Sequence, residues 1–141
     1  MAAEEKSIDV DVPIARMFEV VTDYERYPEF LPDVRRAELK RRDGNIAEVT
    51  FEIEVIKRIR YTLRMEETEP TALNWTLVKG DFMKLNNGRW TLEALGEQQT
   101  RATYAIELKL GAMVPSSITT KLAARNLPDT LERFKRQAER G

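Results

Sequence analysis

The chain's four tyrosines (Tyr24, Tyr27, Tyr61 and Tyr104) and two tryptophans (Trp75 and Trp90) are its richest source of recognition chemistry. Each joins a large apolar ring to a hydroxyl or an indole N–H, the combination that orients a polar group on an otherwise apolar partner. Tyr61, Tyr104 and Arg125 are also the side chains available for shuttling a proton. Histidine and cysteine are both absent. Serine–histidine and cysteine–histidine nucleophiles, imidazole acid–base catalysis, histidine-bearing zinc sites, disulfides and thiol chemistry are therefore excluded. Carboxylate-only metal sites stay formally open. No inner strand face pairs an acid with a base, so no catalytic residue, metal ligand or cofactor is assigned.

Charge sets a second bound. The 23 basic and 24 acidic side chains leave a formal net charge of −1, which gives no general pull toward nucleic acid or anionic membrane. DNA is not an expected partner. Two local basic clusters stand out: Arg35, Arg36, Lys40, Arg41 and Arg42, and then Lys57, Arg58, Arg60 and Arg64. Either offers cations to RNA phosphates, or serves only to solvate strand edges and deter edge-to-edge pairing. No apolar run approaches the ~18 residues of a membrane span, and MAAEEKS lacks a basic, apolar leader. A cytoplasmic protein without a membrane span is expected, folded as one domain over 1–141.

Hydrophobic periodicity supplies the elements that must position the aromatic residues. Ile8, Val10 and Val12 alternate with Asp9 and Asp11, a half-buried strand. Pro13 suits a first helical turn, and Ile14, Met17, Phe18 and Val21 give a short helix one apolar face. The stretch from Val21 to Val34 mixes aromatics, acids and two prolines. It reads either as a corner whose Tyr27, Phe30 and Leu31 plug the core edge, or as the lid of a cavity.

Strands follow in succession. Asp43-Gly44 marks a hairpin turn. Ala47, Val49, Phe51, Ile53 and Val55 share one face, as do Ile59, Tyr61, Leu63 and Met65. A three-residue loop at 56–58 sets Val55 against Ile59, Phe51 against Leu63 and Glu54 against Arg60. Leu73, Trp75 and Leu77 form the next inward set. From Phe82 to Leu95 the phase changes: Met83 and Leu85 are odd, Trp90 and Leu92 even. A bulge at Asn87-Gly88 reconciles them; without it, Lys84 and Asn86 point inward. The last strand turns Ala102, Tyr104, Ile106, Leu108 and Leu110 inward.

From Pro115 the pattern becomes that of one long amphipathic helix with the stripe Ile118, Leu122, Leu127, Leu131, Phe134 and Ala138. Pro128 predicts a kink or break that frees the Ala124 carbonyl, beside Asn126.

This order of elements resembles the helix-grip fold of the superfamily of START lipid-transfer domains and the birch-pollen allergen. Within it, the chain resembles the polyketide cyclase/dehydrase and coenzyme-Q-binding branch. The resemblance rests on Val21-Thr22-Asp23-Tyr24-Glu25-Arg26-Tyr27-Pro28-Glu29-Phe30-Leu31-Pro32, on Gly80 through Trp90, and on Val114-Pro115-Ser116-Ser117. It implies an α+β fold: a curved antiparallel sheet of about seven strands around a long carboxy-terminal helix, with two short helices after the first strand. It also implies a cavity between sheet and helix that takes a hydrophobic small molecule such as a lipid, isoprenoid quinone or polyketide. The residues suited to line it are Tyr27, Phe30, Phe51, Tyr61, Leu63, Trp75, Trp90, Tyr104, Ile106, Met113, Leu122 and Asn126; each is equally a core position by its spacing. Two other functions come with the branch: a polyketide aromatase/cyclase, and a ribosome-associated protein.

Overall fold

The structure, a computed structural model, describes residues 2–54, 58–120 and 127–140. Strand β1 (Ala2–Val10) leads into helix α1 (Ile14–Thr22), a single 3₁₀ turn (Tyr24–Arg26) and the one-turn helix α2 (Tyr27–Phe30). Six strands follow: β2 (Val34–Asp43), β3 (Ile46–Glu54), β4 (Arg58–Thr68), β5 (Ala72–Gly80), β6 (Met83–Gly96) and β7 (Gln99–Leu110). Helices α3 (Ser116–Thr120) and α4 (Leu127–Glu139) complete the chain. All neighbours in the seven-stranded sheet pair antiparallel, in the order β1-β7-β6-β5-β4-β3-β2. The only non-sequential neighbours are β1 and β7, so the long connection through α1 and α2 carries the chain from one sheet edge to the other.

Alternation decides which side of the sheet is apolar. On β3, Ala47, Val49, Phe51 and Ile53 are buried on the inner face. Helix α4 covers that face with Leu127, Leu131, Phe134 and Ala138, spaced four, three and four residues apart. Pro128 is the second residue of α4, where its missing N–H costs no intrahelical bond. The middle of the expected long helix, 121–126, lies outside the described residues, and with it Leu122, Ala124, Arg125 and Asn126. The far end of α4 is tied down by Arg16, whose guanidinium donates to the carbonyls of Ala138 and Gln137 at 3.1 and 3.2 Å. Those carbonyls belong to the last turn of α4, which has no further intrahelical donors.

The segment between α1 and β2 is anchored by buried aromatics. The Tyr24 hydroxyl donates to Glu67 at 2.6 Å, and Arg42 holds the same carboxylate with two N–H donors. Burial, reinforced by that carboxylate, pushes the Tyr24 hydroxyl well above its ordinary pKa. Tyr27 donates to the Val21 carbonyl, closing the corner on itself.

Two expected details are corrected. In the β3–β4 hairpin, Glu54 faces Arg58, Glu52 faces Arg60 and Phe51 faces Tyr61. The connection therefore falls at 55–57 rather than 56–58, and Val55 lies outside the described residues. A shift of two positions keeps every side chain on its expected face, because the strand repeat is two. It also stacks the Phe51 and Tyr61 rings at 5.6 Å and joins the Thr50 and Thr62 hydroxyls at 2.8 Å. The outer face carries ion pairs as expected, with Arg58 bonded to Glu54 at 3.1 Å in the place foreseen for Arg60.

The second correction concerns β6. Pairing with β7 is unbroken through Asn87 and Gly88, and the register shifts instead between Met83 and Leu85. That early irregularity turns Met83 inward with Asn86, Trp90 and Leu92, all buried, and leaves Lys84 exposed. Gly88 is needed for another reason. A Cβ there would come within 2.0 Å of the Trp75 ring, so the glycine admits an indole lying against the strand.

Candidate functional site

Between the inner sheet face and α4 lies a cavity of about 200 Å³. Its wall contains a chain of seven aromatic rings, one from each of seven elements. Tyr61 stacks on Phe51 at 5.6 Å, and Phe51 on Tyr27 at 5.9 Å. Tyr27 meets Phe134 edge-on at 5.3 Å, and Phe134 meets Trp90 at 5.0 Å. Trp90 then contacts Tyr104 at 5.1 Å, and Tyr104 contacts Trp75 at 5.4 Å. Edge-to-face and offset contacts of this kind hold rings in fixed orientations.

Polar atoms are few and placed at two levels. In the wall, Asn86 accepts the Trp75 indole N–H at 3.0 Å, while its own amide N–H reaches only the Met83 sulfur, at 3.7 Å. The Tyr61 and Tyr104 hydroxyls have no hydrogen-bond partner among the described residues, although both residues line the cavity. Neither ring is fully inaccessible, and the space before them is the cavity itself. Burial pushes both hydroxyls up from the ordinary tyrosine pKa, so at neutral pH each is a protonated donor. A second polar level is formed by Asp33 from the α2–β2 connection and by Asp129, Thr130 and Arg133 from the first turns of α4. There Arg133 donates to Asp129 at 2.8 Å.

Among the residues expected from sequence, Tyr27, Phe51, Tyr61, Leu63, Trp75, Trp90, Tyr104 and Ile106 all line this cavity. Phe30 does not. One helical turn beyond Tyr27, it packs on the other side of Phe134, at 5.1 Å, beside Arg16 and Gln137. Met113 is also displaced from its expected place. It stands 90% exposed in the connection after β7, where its neighbour Val114 takes the buried position. Leu122 and Asn126 lie outside the described residues. Asn86, Met83, Asp33 and Arg133 join the wall unforeseen as site residues. For Asn86 the signal was present, since unbroken strand phase through Asn87 turns it inward. Among the described residues, no group of three or more carboxylates gathers as a metal site, and no helix is long and apolar enough to cross a membrane.

An antiparallel sheet that grips a carboxy-terminal helix over an apolar cavity defines a START-like, helix-grip protein. A START superfamily protein from Mycobacterium smegmatis has the same fold: TM-score 0.87, 17% identity, covering 98% of this chain and 97% of that one. An aromatase/cyclase from Streptomyces sp. R1128 superposes with a TM-score of 0.84 at 17% identity, over 99% of this chain and 94% of its own. Residues 10–135 match the family described as polyketide cyclase / dehydrase and lipid transport, and the chain belongs to that family. A ribosome association toxin, RatA, of Pseudomonas aeruginosa is 29% identical over 101 residues, 70% of this chain and 69% of that protein.

Proposed function

We propose that this protein binds a hydrophobic small molecule bearing an acceptor oxygen, of the lipid, isoprenoid quinone or polyketide kind. The observation that carries this reading is the pair of hydroxyls, Tyr61 and Tyr104, that have no hydrogen-bond partner among the described residues and stand in a chain of aromatic rings lining the cavity. A carbonyl or ether oxygen satisfies such donors; a pure hydrocarbon does not. The cavity volume of about 200 Å³ suits a ring-sized headgroup, with any longer tail leaving past Asp33 and Arg133. Removing apolar ligand surface from water at roughly 25 cal/mol per Å² supplies most of the affinity. Native mass spectrometry of freshly purified protein, with an organic extract analysed alongside, tests the reading. A co-purified quinone, lipid or polyketide is the expected result. Apo protein whose Trp75 and Trp90 fluorescence also fails to respond to added naphthoquinone, fatty acid or aromatic polyketide would overturn it.

Two other readings have specific support. Membership of a polyketide cyclase and dehydrase family favours catalysis in the same cavity, with Tyr61 and Tyr104 as the proton-bearing groups. Incubation with a poly-β-ketone chain, followed by product analysis, separates cyclisation from simple binding. The ribosome association toxin relative favours a ribosomal partner. Against it, Arg35, Arg36, Lys40, Arg42, Arg58 and Arg64 all have carboxylate partners on the protein's own surface. Loss of ribosome co-sedimentation at low salt would remove that reading.

A further inference from the structure

Among the described residues the cavity wall holds one side-chain amide, and its neighbour fixes which way it faces. Asn86 is 5% exposed and lines the cavity. Its Oδ1 accepts the Trp75 indole N–H at 3.0 Å. An indole nitrogen donates and never accepts, so the amide cannot turn over: with its two ends exchanged, N–H would meet N–H. Trp75 is itself held in place, seated against Gly88 and in contact with the Tyr104 ring at 5.4 Å. The amide nitrogen is therefore committed to the other side. It carries two hydrogens there and meets one weak acceptor among the described residues, the Met83 sulfur at 3.7 Å.

The indole N–H accounts for the oxygen of this amide but not for its nitrogen. Asn86 sits opposite Leu108 across β6 and β7, and an N–H without a strong acceptor on such an apolar face costs free energy. A ligand oxygen in the cavity removes that cost. The neighbouring donors differ in kind. The Tyr61 and Tyr104 hydroxyls rotate and can give or take a hydrogen bond, so they serve a carbonyl and a hydroxyl alike. Asn86, locked by Trp75, offers its N–H. The carboxylates of Asp33 and Asp129 belong to the outer polar level, where Arg133 holds Asp129 at 2.8 Å.

We infer that Asn86 is a specificity-determining residue, which makes the inner part of the cavity select a ring ketone or quinone over the corresponding phenol or hydroquinone. This selection presupposes the ligand-binding reading above and adds to it the oxidation level of the ligand. A carbonyl oxygen has lone pairs and no proton, and takes the amide N–H directly. A phenolic hydroxyl in the same place aims its own proton at the Met83 sulfur or at apolar wall, where it goes unpaired.

The test is isothermal titration calorimetry of the full chain with 1,4-naphthoquinone and with 1,4-dihydroxynaphthalene, the latter kept reduced under nitrogen. The chain has no cysteine, so the quinone meets no thiol that would consume it. The quinone should bind roughly tenfold more tightly, the cost of one buried hydroxyl proton left unpaired. Asn86→Leu should lower quinone affinity about fivefold, the loss of one hydrogen bond, and leave dihydroxynaphthalene affinity within about twofold. It also strands the Trp75 N–H. Trp75→Phe/Asn86→Leu removes both groups and carries the same comparison if the single variant fails to fold. Trp75→Phe alone frees the amide to turn its oxygen toward the ligand, so the preference for the quinone should shrink about threefold or more. An asparagine that merely packed against the indole would instead lower both affinities together. Equal affinities in the parent would overturn the inference, as would a preference that survives both Asn86→Leu and Trp75→Phe; the wider binding reading stands in either case. Binding of neither ring compound also overturns the inference: a fatty acid bound by the same protein would then keep the wider reading, and no binding of any of the three would remove both.

Discussion

The Trp75 indole occupies the space a side chain on Gly88 would fill: a Cβ on Gly88 would lie 2.0 Å from Trp75 Cζ2 and 2.3 Å from Cε2. The two residues face each other across β5 and β6, and the ring also reaches Asn86 and Tyr104. Gly88→Ala therefore has to move the indole off the strand, since the Ala105 carbonyl, 2.8 Å from the same point, restricts movement of the strand itself. A loss of about 1–3 kcal/mol in stability is expected, the usual range for overpacking. Urea denaturation followed by tryptophan fluorescence measures it, and a shifted native emission maximum would report the displaced ring.

Tyr61→Phe and Tyr104→Phe separate binding from folding. Neither hydroxyl bonds to the described protein, so removing it leaves no buried partner unsatisfied. Stability should change by less than about 0.5 kcal/mol, as for substitutions that break no specific interaction. Affinity for an oxygenated apolar ligand should fall by about 1 kcal/mol per hydroxyl, while affinity for a hydrocarbon of the same shape stays constant. Titration of both variants with a quinone and with its deoxygenated ring analogue gives the comparison. Equal loss for both ligands would mean the hydroxyls are only packing groups.

High pH should unfold the protein through its buried tyrosines. Burial raises the folded-state pKa of Tyr27, Tyr61 and Tyr104, and burial with the Glu67 hydrogen bond raises that of Tyr24. Below the ordinary value of 10.0 both folded and unfolded chains hold these protons, and stability is fully present. Above it the unfolded chain releases protons that the folded chain keeps. Stability then falls with rising pH, by roughly 1.4 kcal/mol per pH unit for each such tyrosine. Urea midpoints between neutral pH and the alkaline range should decline past that value, and less steeply in the Tyr61→Phe/Tyr104→Phe protein.

How much of this was legible in the amino-acid order follows from the kind of signal each feature leaves. Strand alternation and the helical stripe are local and repeat many times, so they determined which residues turn inward. Phe51, Tyr61, Trp75, Trp90 and Tyr104 were placed on the inner face by parity alone, and the element order with its three motif stretches pointed to the helix grip. Parity survives a slip of two residues, so it left open that Phe51 faces Tyr61 and not Leu63. The closure of the hairpin and the stacking of its rings decided that. Pairing of β6 with β7 placed the irregularity at Met83–Leu85, which made Asn86 a wall residue and Gly88 a seat for Trp75. No local pattern encodes whether an aromatic beside the core faces the cavity or the back of Phe134, as Phe30 does. Nor does one say which of Met113 and Val114 is buried. Those outcomes depend on contacts between residues far apart in the chain, and only the assembled sheet and α4 bring them together.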